Sequence, residues 1–131
     1  MRSIKLTALL GLCILLLLGC RTHIPISQLE GAWHITDAEG ATLVELKVHS
    51  DARFHVDVYA LDGIEVEGHL EVEGDQVSFI NDEGTDAVAS DPRPGTYRYW
   101  IDDNILRFEK VSDPLDRRAT FLKREWTRTE P

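Results

Sequence analysis

His49, His55 and His69 stand among Asp57, Glu67 and Glu71, and imidazole with carboxylate is a donor set that zinc or copper accepts. If residues 53–60 and 64–73 form a hairpin, His55 and His69 fall opposite each other, with His49 near the same end. That makes His55 and His69 the candidate metal ligands, in a shallow exterior patch suited to scavenging rather than catalysis; the alternative is a solvated polar face. The same register makes Asp57 and Glu67 cross-strand neighbours, and paired carboxylates either share a proton as an acid–base pair or simply repel. Nucleophilic chemistry has less to stand on. There is no Gly-x-Ser-x-Gly elbow and no glycine-rich phosphate loop ahead of a helix. The residues therefore point away from an enzyme and require no cofactor.

The two cysteines, Cys13 and Cys20, both lie in the first twenty residues. Arg2 and Lys5 precede an uncharged, mostly aliphatic run at 6–18, the pattern of a secretory signal. The run is shorter than the roughly 20 apolar residues that span a bilayer. Leu17-Leu18-Gly19-Cys20 resembles the lipobox of bacterial lipoproteins, in which a small residue precedes the cysteine that becomes the new N-terminus; Cys13 follows the bulky Leu12. The resemblance implies that residues 1–19 are a cleaved signal peptide, that Cys20 carries a thioether-linked diacylglycerol and an amide-linked third chain, and that 20–30 form a lipidated tether. At about 0.8 kcal/mol per buried methylene, two or three chains hold a protein firmly at a membrane. Arg21 rather than Asp follows Cys20. In a host with enteric-type sorting this implies a bacterial envelope location, anchored at the outer membrane and facing the periplasm.

Taking 19 residues from 131 leaves 112, the size of one domain. Without Arg2 and Lys5, 12 of the 14 cations remain against 23 acids, a charge of −11. So acidic a chain is unsuited to nucleic acid and to electrostatic docking on anionic headgroups, and it suits a basic envelope partner. With Cys20 acylated, the exported domain keeps no thiol for a disulfide, a metal site or catalysis.

The elements that would position these residues follow a period of two. Strands are predicted at 32–37, 42–49, 53–60, 64–73, 76–81, 96–101, 105–111 and 119–127. The clearest is 64–73, where Ile64, Val66, Gly68, Leu70 and Val72 alternate with Glu65, Glu67, His69, Glu71 and Glu73. Leu61-Asp62-Gly63, Gly74-Asp75 and Asp103-Asn104 read as hairpin turns. They pair Val58 with Val66, Val72 with Val77, Tyr99 with Phe108 and Ile101 with Leu106 on one face, and Arg98 with Glu109 and Trp100 with Arg107 on the other. Residues 82–95 and 112–118 read as longer connections, the first long enough to carry function.

Eight consecutive antiparallel strands avoid exposed edges by closing into an up-and-down barrel. Gly31-Ala32-Trp33 at the start of the first strand resembles the Gly-x-Trp opening of lipocalins, and 94–127 resembles the C-terminal half of small lipocalin-like bacterial lipoproteins. The resemblance implies a lipocalin-like barrel over 31–131 whose Trp33 is covered by an arginine near the chain's end, Arg124 in preference to Arg118. It also implies a small apolar or amphiphilic ligand in a pocket lined by Phe54, Phe79, Tyr97, Tyr99 and Phe108. The alternative function is an acidic interaction or inhibitor module whose barrel is packed. Interior volume separates the two.

Overall fold

Alternating apolar residues enclose a barrel in the computed structural model, which describes residues 26–129. Its strands are β1 (Gly31–Thr36), β2 (Thr42–Val48), β3 (Arg53–Val58), β4 (Ile64–Glu73), β5 (Gln76–Gly84), β6 (Gly95–Asp102), β7 (Ile105–Ser112) and β8 (Trp126–Arg128). Each is antiparallel to the next, and β8 returns to β1, so the sheet closes. A turn of 3-10 helix (Ile26–Gln28) precedes β1, and a helix, α1 (Asp116–Leu122), separates β7 from β8. The signal segment and Cys20 lie outside the described residues. Among the described residues no helix is long and apolar enough to cross a membrane.

Up-and-down order gives the barrel two different ends. The lower end carries the chain's entry at 26–30 and the short turns at 49–52, 74–75 and 103–104. The upper end carries the connections at 37–41, 59–63, 85–94 and 113–125. Leu29 and Trp33 seal the lower end: both are buried, and the Trp33 indole N–H donates to the Leu29 carbonyl at 2.9 Å.

The interior is filled by aromatic rings packed edge to face. Phe79 meets Phe54 at 5.4 Å, Phe108 at 5.5 Å and Tyr97 at 6.0 Å between ring centroids. Gly68 makes this possible. It lies across from Phe54 in the β3–β4 ladder, and a Cβ there would stand 2.7 Å from the Phe54 ring and 2.0 Å from the Ile80 carbonyl oxygen. Gly68→Ala must displace a core ring and a strand backbone. A loss of about 1–3 kcal/mol is expected in urea unfolding, the range for overpacked cores.

The expected pairs Val72–Val77, Tyr99–Phe108, Ile101–Leu106, Arg98–Glu109 and Trp100–Arg107 are all present. Arg98 and Glu109 form an exposed ion pair at 3.8 Å. Three expectations about the elements fail. Val58 pairs with Ile64 rather than Val66, because the Ala60 N–H turns away to the Leu43 carbonyl and the β3 ladder stops at Val58. The expected strand at 119–127 is instead α1 followed by the three-residue β8. The long connection is also shorter than 82–95, since β5 runs on to Gly84.

Candidate functional site

A cavity of about 60 Å³ opens at the upper end. Phe54 and Phe79 reach it from the barrel interior, and Val56, Val58, Ile64 and Val66 form its β3–β4 wall. Val88 and Ala89 come from the 85–94 connection; Leu115, Phe121 and Leu122 come from α1 and its lead-in. These lid residues sit where they do because of two arginine–carboxylate pairs. The Asp86 carboxylate accepts both Arg117 Nη atoms at 2.8 Å and the Ala89 N–H at 2.7 Å, tying the 85–94 connection to α1. The Arg117 side-chain bonds, with the Ala89 N–H, hold the Asp86 carboxyl far below the usual carboxylate range.

The second pair lies deeper. Asp113 accepts Arg118 Nε and Nη2, each at 2.7 Å, the Leu115 N–H at 2.8 Å, and the Tyr97 hydroxyl. Burial works against the Asp113 carboxylate, but the bonds from Arg118, Tyr97 and Leu115 outweigh it and leave its pKa lowered. Burial first, and then the Asp113 acceptor, push the Tyr97 phenol well up, so it stays a donor. Arg118 also donates to the Arg93 carbonyl at 2.8 Å and to the buried Asn81 Oδ1 at 3.4 Å. One guanidinium thus joins the 113–125 connection, the 85–94 connection and β5. Gly95 leaves room for it: a Cβ would meet Asp113 Oδ2 at 2.4 Å and Arg118 at 2.7 Å.

The sequence-derived candidates fall in several places. Phe54 and Phe79 border the cavity, whereas Tyr97, Tyr99 and Phe108 are buried in the packed interior away from it. The arginine on Trp33 is Arg128, its guanidinium carbon 4.1 Å from the ring centroid, and not Arg124. Arg124 sits in the turn after α1, where its N–H closes onto the Phe121 carbonyl; the helix moved the last strand along the chain and brought Arg128 opposite Trp33. His55 and His69 are not opposite each other: His55 pairs with Glu67 and His69 with Arg53. His69 Nδ1 instead lies 2.9 Å from Asp82 Oδ2. Among the described residues no group of three His, Cys, Asp or Glu side chains is placed to hold a metal ion. Asp57 likewise faces Glu45 and Glu65, not Glu67.

Nothing in the types or spacing of Asp86, Asp113, Arg117 and Trp126 marks them as site residues. The signal for the lid was Leu115, Ala119 and Leu122, apolar at helical spacing. No protein-family model, no curated protein and no solved structure matches this chain.

Proposed function

We propose that this is a lipid-anchored, lipocalin-like envelope protein that works by seating part of another protein at its upper end. Cavity volume carries this reading. Sites that enclose a small molecule run to about 300–1,000 Å³, and this cavity is about 60 Å³. At roughly 10–15 Å³ per water-sized centre it takes a handful of heavy atoms, the size of one apolar side chain. Topology supports the same conclusion. With Cys20 in the membrane the lower end lies nearest the lipid, and the cavity opens at the far end. The two arginine–carboxylate pairs hold that end in shape before binding, which lowers the ordering cost of a contact. Val88, on the cavity's lip, is 42 % exposed and available to a partner.

Cross-linking of the full lipoprotein in intact envelopes tests this. A discrete cross-linked protein is expected from a photoreactive residue at position 88, and none from one at position 103 on the lower end. Equal yields from the two positions refute the reading.

One observation favours a second reading, a small apolar ligand. Trp126 borders the cavity, and its buried indole N–H has no hydrogen-bond partner among the described residues. A compact apolar molecule in the cavity would lie against the Trp126 ring. Saturable binding of short fatty acids to the full chain in detergent, with a change in Trp126 fluorescence, would shift the assignment to this reading.

A further inference from the structure

We infer that the upper end recognises a basic segment in which one apolar side chain enters the cavity while a Lys or Arg about three residues away settles on the outer face of β4 and β5. This rests on the reading that the upper end meets a protein partner, and it names that partner's chemistry.

The two halves of the surface come from one strand. Successive β4 side chains point to opposite faces, so Ile64 and Val66 line the cavity while Glu65 and Glu67 line a groove of about 230 Å³ on the outside. Glu83, Gly84 and Thr85 complete that groove. The β4–β5 ladder sets Glu67 against Glu83, and the β3–β4 ladder sets Asp57 against Glu65. Among the described residues no cation lies within ion-pair distance of Asp57, Glu65, Glu67 or Glu83, whereas Glu45 has both Lys47 and His34. Like charges opposed across strands are unfavourable, and an incoming cation relieves them.

The cavity asks for an apolar group: Val56, Val58, Ile64, Val66, Leu115 and Phe121 border it, and Val88 is exposed at its lip. Between the two subsites runs the rim at Thr85, whose hydroxyl accepts the Glu65 N–H at 3.1 Å. Crossing a sheet from one face to the other takes about 10 Å, which is about three residues of extended chain. That span sets the spacing between anchor and cation.

Panning a random twelve-residue peptide display library on the full chain in detergent tests the inference. Enriched sequences are expected to carry Leu, Ile, Met or Phe with Lys or Arg two to four positions away. Affinity of the enriched peptide should fall about tenfold on the triple variant Glu65→Gln, Glu67→Gln, Glu83→Gln. It should fall similarly on Val88→Ser, and between low and high salt. The glutamine variants only remove repulsion and Val88 is a surface position, so both proteins should fold, which urea unfolding checks. No enrichment, enrichment of acidic or purely apolar peptides, or equal affinity for the triple variant would each overturn the inference. If that happens while position 88 still cross-links a protein, the partner reading stands and only the assigned chemistry falls.

Discussion

Asp113→Ala is expected to destabilise the domain by about 3–5 kcal/mol, the usual result of removing one partner from a buried ion pair. Against a total of about 5–15 kcal/mol, that would leave the protein marginal or unfolded. The Asp113 side chain is fully buried and that of Arg118 is 10 % exposed, so a guanidinium stripped of its carboxylate cannot turn to water without opening the lid. The Tyr97 hydroxyl and the Leu115 N–H lose their acceptor in the same step. Asp113→Asn keeps the shape and an acceptor oxygen, and should fall between wild type and Asp113→Ala. Urea unfolding monitored by tryptophan fluorescence ranks the three. The pH dependence has a fixed sign. The Asp113 and Asp86 carboxyls are both lowered in the folded chain. Their contribution is therefore complete above the unfolded carboxylate value of about 4 and is lost as pH falls through the lower folded values. Acid unfolding should set in below about pH 4, and Asp113→Asn should flatten that limb. An Asp113→Ala protein as stable as wild type would mean that the pair does not hold the lid. Asp86→Ala should cost far less stability, because Arg117 and Asp86 are 29 % and 37 % exposed and solvent screens the pair.

The sequence patterns that proved readable are those in which a wrong answer would bury charge. In β4 a slip by one residue would turn Glu65, Glu67, Glu71 and Glu73 into the core, so the face is unambiguous. The tight turns at 74–75 and 103–104 then fix partners as well as faces, which is why Val72–Val77 and Tyr99–Phe108 are correct. A slip by two residues buries the same set, however, and a period-two pattern cannot detect it. Only turn geometry separates Val58–Ile64 from Val58–Val66, and the Ala60 N–H bond that decides it runs to a third strand. Every chemical pairing drawn across β3 and β4 inherited that ambiguity. His55 lost His69, and Asp57 lost Glu67, although each residue is on its expected face.

The upper end was hidden for a different reason. Helix α1 has seven residues and β8 has three, both shorter than the windows over which periodicity is convincing. Phe121 and Leu122 are adjacent apolar residues that alternation would send to opposite faces, yet both border the cavity. Leu115, Ala119 and Leu122 have the spacing of one helical face, and Asp113 fixes the lead-in by accepting the Leu115 N–H. Local sequence therefore contains the helix. Its use as a lid depends on distant partners: Arg118 finding Asn81, 37 residues earlier in the chain, and Arg117 finding Asp86, 31 residues earlier.

Trp33→Ala is expected to lower stability by about 3–5 kcal/mol, as for other fully buried large aromatics, and to release the N-terminal segment. Trp33 is the dock for that segment in two ways. Its indole N–H holds the Leu29 carbonyl, and its face carries Arg128, which donates to the Gln28 carbonyl at 2.8 Å and the Glu30 carbonyl at 2.9 Å. Gly31 completes the arrangement, at φ +125 with Arg128 Nη1 only 3.0 Å from where a Cβ would stand. Without the ring, Arg128 keeps its carbonyls but loses the surface that positions it. Urea unfolding should rank Trp33→Ala above Arg128→Ala, at about 1–3 kcal/mol for a cation–π contact plus two charged hydrogen bonds. Arg124→Ala should stay within about 0.5 kcal/mol of wild type, as surface substitutions do. Limited proteolysis adds a local readout: cleavage within 26–30 should rise sharply in Trp33→Ala, rise in Arg128→Ala and stay unchanged in Arg124→Ala. An Arg124→Ala protein less stable than Arg128→Ala would show that the wrong arginine has been assigned to the lower end. The consequence for the proposed function is orientation. If the chain is tethered through Cys20, the grip of Trp33 and Arg128 on residues 28–30 is what keeps the lower end toward the membrane and the cavity facing away from it.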